Sequence, residues 1–196
     1  MDSCVTLNKG RTLTFSYQGF FDLILGWSGY DGNRYVDDID LCLFYKAKNN
    51  TTGGIFNRMY RSSYYKINES EGSLGTFPFV LYIGEVRPKP KYIDEEIVRV
   101  RHLNEFEAVY VVAIDYFATI NNEEIGFTLP ITLETIETVP TLTLTSQRSS
   151  SEKGTICILA MMKQNNDGTI VMNNVSKYIL LSEACELIPG FSMICE

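Results

Sequence analysis

The stretch Asp37-Asp38-Ile39-Asp40-Leu41-Cys42-Leu43 sets carboxylates at the head of an apolar run, just after Leu25-Gly26-Trp27 and the turn-forming Ser28-Gly29-Tyr30-Asp31-Gly32-Asn33. In an extended strand successive side chains point to opposite faces, so Asp38 and Asp40 share one face while Ile39, Leu41 and Leu43 line the other. The expectation is a strand whose apolar face enters a core while its acids stay at the rim. Two carboxylates so close repel each other, and a calcium ion, which takes about six to eight oxygen ligands, relieves that repulsion. Asp94-Glu95-Glu96 stands in the same relation to a second strand-like run over 97–100, so two loops offer their acids to one site. The alternative is that both are solvated strand-edge acids that discourage association between sheets.

Outward from this stretch, periodicity favours strands. Val98 and Val100 alternate with Arg99 and Arg101, and Thr141, Thr143 and Thr145 alternate with Leu142 and Leu144, the period-two pattern of half-buried strands. The apolar runs over 109–114 and 155–162 suit central strands buried on both faces. Turn residues fall between the runs, including Asn165-Asn166-Asp167-Gly168, which reads as a hairpin. Pro130 and Pro140 predict an edge or bulge, 146–153 reads as a flexible polar loop, and 182–187 reads as a short helix. The predicted fold is all-β, an antiparallel β-sandwich with minor helical content, in one domain over 1–196. Ile39, Leu41, Leu43, Val109, Val111, Ile156 and Ile158 are its expected core.

Composition narrows the function. A hydrophobic content of 45% marks an ordered globular chain, and a net charge of −7 disfavours a nucleic-acid surface, which needs clustered cations. The five cysteines, Cys4, Cys42, Cys157, Cys185 and Cys195, form no C-x-x-C pair, so free thiols in a cytoplasmic protein are expected. No run reaches the length of a membrane span, and the N-terminus lacks the pattern of a signal peptide.

The order Leu7-Asn8-Lys9-Gly10, Leu25-Gly26-Trp27, Asp38-Ile39-Asp40-Leu41, Gly84-Glu85 and Asp94-Glu95-Glu96-Ile97, followed by the valine-rich run over 109–114, resembles the TerD-type tellurium-resistance and stress-response family. That family comprises calcium-binding β-sandwich proteins with the patterns L-x-K-G, G-L-G-W, D-L-D-A-S, G-D-N-x-x-G and G-D-D-E, and has no established enzymatic activity. The resemblance implies calcium ligands at Asp38 and Asp40, at Glu85 in place of an Asp, and at Asp94, Glu95 and Glu96, in a stress-response module that acts through protein partners. The chain departs from the pattern at Val86 and Ile93, and Arg87, Pro88, Lys89, Pro90 and Lys91 occupy the loop that would wrap the ion. Proline fixes backbone dihedrals that glycine leaves free, and the three cations are able to neutralise the acids themselves. The resemblance therefore implies either a calcium site or a degenerate one.

Other residues carry less. His102 is the only histidine and reads as a surface loop residue, and no G-x-S-x-G or phosphate-binding loop is present. Trp27 reads as a core anchor. The basic, tyrosine-rich segment Arg58, Tyr60, Arg61, Tyr64, Tyr65 and Lys66 reads as an exposed insertion, with an acidic partner or nucleic acid as the competing ligand. Two further classes stay open. One is a glycan- or other ligand-binding β-sandwich. The other is a hydrolase using Glu123-Glu124 or Glu95-Glu96, against which stands the opposite facing of adjacent strand residues.

Overall fold

One strand organises the molecule because it serves two sheets. In the computed structural model, which describes residues 4–28, 38–57, 71–86 and 94–194, β2 (Thr12–Trp27) begins beside β12 (Ile170–Ile179) and ends between β7 (Asp94–Val100) and β9 (Ile131–Val139). Its register shifts between Tyr17 and Asp22, where Gly19 takes a φ of +76°, a value that glycine adopts without steric cost.

The first sheet runs β1 (Cys4–Thr6), β10 (Thr141–Ser146), β9, β2, β7, β6 (Val80–Val86) and β5 (Gly72–Ser73). The second runs β2, β12, β11 (Ile156–Gln164), β8 (Phe106–Asp115), β3 (Ile39–Ala47) and β4 (Thr52–Ile55). Among the strands of the described residues every pairing is antiparallel except β1 with β10. The fold is thus an all-β sandwich, as the alternation predicts. The expected hairpin joins β11 to β12, with Gly168 at a φ of +87°, and Pro140 stands between β9 and β10 instead of inside a strand.

Side chains sort by parity. Ile39, Leu41, Leu43, Val109, Val111, Leu133, Leu142 and Leu144 fill the space between the sheets together with Phe21, Leu23, Leu25 and Trp27. Cys42, Phe44, Val112, Ile114, Ile156 and Ile158 point the other way and form a second core, closed by α2 (Leu181–Leu187) and a 3₁₀ turn (Phe191–Ile194) through Ala184, Ile188 and Phe191. Phe44 lies 4.9 Å from the Phe191 ring and 6.0 Å from that of Phe56. All seven expected core residues are buried. β3, β8 and β11 are covered on both faces, which explains their unbroken apolar runs.

The structure corrects the expectation for the thiols. Cys185, on α2, is disulfide-bonded, whereas Cys4, Cys42 and Cys157 are free, so the reading of five free thiols fails. Proximity in the fold decides such a bond, and sequence spacing carries no trace of it. In the polar loop over 146–153 the Arg148 guanidinium donates to the carbonyls of Gly126, Ser149 and Glu152. A helix the periodicity misses, α1 (Tyr116–Ile120), follows β8 directly and is capped by Asp115, whose Oδ1 accepts the Ala118 N–H at 3.1 Å. Among the described residues no helix is long and apolar enough to cross a membrane.

Candidate functional site

The segments that carry the family resemblance are scattered in sequence, and most of them meet at one end of the sandwich. Leu25, Gly26 and Trp27 on β2 pair in register with Glu96, Glu95 and Asp94 on β7. On the far side of β7, Gly84 and Glu85 of β6 pair with Ile97 and Glu96. Asp38 and Asp40 arrive from the facing sheet at the head of β3, held there by the Tyr116 N–H, which donates to the Asp38 carbonyl at 2.8 Å. Leu7-Asn8-Lys9-Gly10 instead forms a turn after β1, with Leu7 buried and Gly10 at a φ of +75°.

Glu96 is the centre of this arrangement. Val98 and Val100 face the inter-sheet core, and so does Glu96, two residues earlier on the same strand. Only 3% of it is exposed. Its Oε2 accepts the backbone N–H of Leu41 on β3, and its Oε1 accepts the Tyr82 hydroxyl at 2.6 Å. The reason lies in β4, whose pairing with β3 starts at Leu43 opposite Ile55. Leu41 lies beyond that end, so its amide needs an acceptor, and a buried amide left without one costs about 1–3 kcal/mol. Asn57, just past β4, donates to the Tyr82 hydroxyl at 3.3 Å and extends the chain of hydrogen bonds.

Asp40 completes the site and corrects the expectation that the acids stay at the rim, since only 9% of it is exposed. The Asp40 and Glu96 carboxyl groups hydrogen-bond to each other, and burial followed by the charge of Asp40 pushes the Glu96 carboxyl from its ordinary 4.5 up to about 8. At neutral pH this acid holds a proton. Burial and the same two acids also raise Cys42 and Tyr82, so neither ionises. No cation is among the described groups that set the Glu96 shift, and one proton shared by two carboxyls leaves a single negative charge where the ionised pair would bury two.

Of the other expected ligands, Glu95 does not join this pair. Glu95 points to the opposite face of the sheet, half-buried beside Gly26. Asp38 and Asp94 are half-buried, and among the described residues no group of three or more Asp, Glu, His or Cys side chains is placed to hold a metal ion. The backbone of Glu85 lies opposite Glu96, while its side chain and Arg87, Pro88, Lys89, Pro90, Lys91 and Ile93 lie outside the described residues. The basic, tyrosine-rich segment Arg58 to Lys66 lies outside them as well. Calcium needs about six to eight oxygens. The Glu96 carboxyl already accepts both the Leu41 amide and the Tyr82 hydroxyl, and two carboxyls fall well short of that number, so the described donor set does not fit the ion. Tyr82 is the site residue that sequence reasoning misses. Its only signal is its place two residues before Gly84, on the strand that flanks β7.

No family model matches the chain, and no curated protein is significantly similar to it. A solved structure titled as the crystal structure of the unknown-function protein SAV2460 superposes with a TM-score of 0.49 at 10% identity, over 79% of this chain and 86% of that one.

Trp27 is 4% exposed and anchors the core, though its indole N–H has no hydrogen-bond partner among the described residues. His102 is half-buried against Phe79, with ring centroids 4.2 Å apart, and burial together with Arg101 lowers its pKa, so it stays neutral at pH 7.

Proposed function

We propose that the protein is a non-enzymatic stress-response module of the TerD type that acts through protein partners, with a proton shared by Asp40 and Glu96 standing where the resemblance implies a calcium ion. The observation that carries this reading is the meeting of the segments 25–27, 38–41, 84–85 and 94–97 at one inter-sheet junction, through the β2–β7 and β6–β7 registers and the Glu96 bond to Leu41. Their sequence order suggests the family, and their convergence supports it independently. A hydrolytic role for the carboxyl pair is disfavoured because both groups are buried and one is bound to the backbone of the facing sheet. Glu95-Glu96 cannot work as an acid–base pair across the two faces of a strand.

The test is a melting curve at pH 7 with and without millimolar calcium. A folded-state ligand at hundredfold excess over its dissociation constant contributes about 2.7 kcal/mol, a rise of about 5–10 °C for a chain of this size. The degenerate site predicts no shift. A rise of that order, lost in Asp40→Asn, would restore calcium to the working state.

A further inference from the structure

The two outer faces of the sandwich are treated differently. That of the second sheet is sealed by α2 and the 3₁₀ turn. That of the first sheet has no such cover among the described residues, and Ile24, Ile97 and Ile136 lie half-buried across β2, β7 and β9. At one end of this apolar floor a cavity of about 350 Å³ opens, lined by Ile24, Gly26, Trp27, Glu95, Thr132 and Glu134, with no lysine or arginine among the described residues of its wall.

The registers explain its shape. Glu95, Gly26 and Thr132 form one row across the three strands, and Ile97, Ile24 and Glu134 form the next. Gly26 has no side chain, so the middle of the first row is a trough. Glu95 and Glu134 stand two strands and one row apart, which places their backbones about 12 Å from each other. Both glutamates project from the same outer face, so their carboxylates flank the trough from either side.

We propose that this trough docks a basic segment of a protein partner, with one lysine or arginine held between Glu95 and Glu134 and its apolar neighbours laid along Ile24, Ile97 and Ile136. Charge complementarity argues for the cation, in a chain of net charge −7. The isoleucine floor argues for a peptide over a free polyamine, which would leave that floor uncovered. The proposal names the chemistry of the partner and so rests on the interaction-module reading. Its test does not involve Asp40 or Glu96, which the calcium experiment addresses, so the two failures are distinguishable.

Binding is followed by isothermal titration calorimetry, because Trp27, the single tryptophan, is 4% exposed with its side chain in the inter-sheet core and cannot serve as a reporter in the trough. The probe is a capped Val-Lys-Val-Lys-Val peptide. A saturable heat is expected at low salt, weakened at about 1 M salt, where the Debye length falls to about 3 Å. Replacing both glutamates, Glu95→Gln with Glu134→Gln, should weaken binding by about tenfold or more. Thr132→Lys, which puts an ammonium into the trough, should abolish it, and a Val-Glu-Val-Glu-Val peptide should produce no saturable heat. The proposal is overturned if the wild type shows no saturable response, if affinity is the same in the double variant and in Thr132→Lys, or if spermidine binds as tightly as the peptide.

Discussion

Glu96 belongs to one sheet, and its carboxyl accepts the backbone N–H of Leu41 on the other. A side chain thus continues the edge of β3 beyond the point where β4 stops pairing with it. Glu96→Ala removes the acceptor for both Leu41 and Tyr82, and each buried donor so stranded costs about 1–3 kcal/mol. Glu96→Gln keeps an amide oxygen for Leu41 and cannot ionise. Urea unfolding at pH 7.5 should therefore find the Ala variant less stable than wild type by at least 2 kcal/mol or so, with the Gln variant close to wild type or above it.

The same pair makes stability depend on pH in a stated direction. The folded Glu96 carboxyl titrates at about 8 and its ordinary value is 4.5, so between these the native state holds a proton that the unfolded chain has released. The unfolded state then binds fewer protons, and stability falls as pH rises, by up to about 1.4 kcal/mol per pH unit. Below about pH 4.5 this contribution is constant, and above about 8 the loss is complete. Unfolding midpoints measured from pH 5 to 8 should decline in wild type and flatten in Glu96→Gln. An increase across that range in wild type would contradict the shared proton.

Arg99 and Asp22 form a second, half-buried interaction. The guanidinium donates from Nε and from one terminal nitrogen to the two Asp22 oxygens, each at 2.8 Å, and stacks 4.2 Å from the centre of the Phe20 ring. Asp22 is only 8% exposed. Arg99→Ala strands that carboxylate and should cost about 2–4 kcal/mol, reduced from the cost of a fully buried pair because the arginine remains about one-third exposed. Arg99→Ala combined with Asp22→Asn should recover part of the loss, as a double-mutant cycle in denaturant will measure.

The thiols should fall into three classes. Cys4 is exposed and should react with an alkylating reagent in the native protein. Cys42 and Cys157 are buried, with burial pushing both thiols up, Cys157 to about 12, so they should react only on unfolding. Cys185 should react only after reduction. Mass spectrometry of alkylated protein prepared without reductant tests all three, and labelling of Cys185 in that sample would remove the disulfide.

How far the sequence reveals this molecule depends on whether a feature is local. Alternation at 98–100 and 141–145, and the apolar runs of β8 and β11, depend on near neighbours and are legible. The gathering of Asp38-Ile39-Asp40 with Asp94-Glu95-Glu96 is legible too, because both stand at strand heads. The burial of Asp40 is not, since the carboxyl set against it, that of Glu96, arrives from a strand of the other sheet far along the chain. Period two also separates Glu95 from Glu96, a consequence that grouping them as one acidic segment hides. The sequence Tyr116-Phe117-Ala118-Thr119-Ile120 has the β-branched and aromatic composition of a strand, and only the Asp115 cap marks it as helix.

Closure of the second core by the C-terminal segment yields a further expectation. Phe191 is fully buried and its ring meets that of Phe44, so Phe191→Ala should cost about 3–5 kcal/mol. The loss should be accompanied by faster hydrogen exchange in α2, while the amides of β2 and β9, which border the first core, keep their protection. Uniform loss of protection in both regions would mean that the two cores do not open separately.

The shared proton is tested most directly by carbon-13 NMR of the glutamate carboxyl groups, titrated with and without millimolar calcium and assigned by Glu96→Gln. The predicted result is one carboxyl signal with a midpoint near 8 that is absent from the variant and unmoved by calcium. A Glu96 midpoint in the ordinary carboxylate range, or one that calcium drives downward, would contradict the account and put a cation in the proton's place.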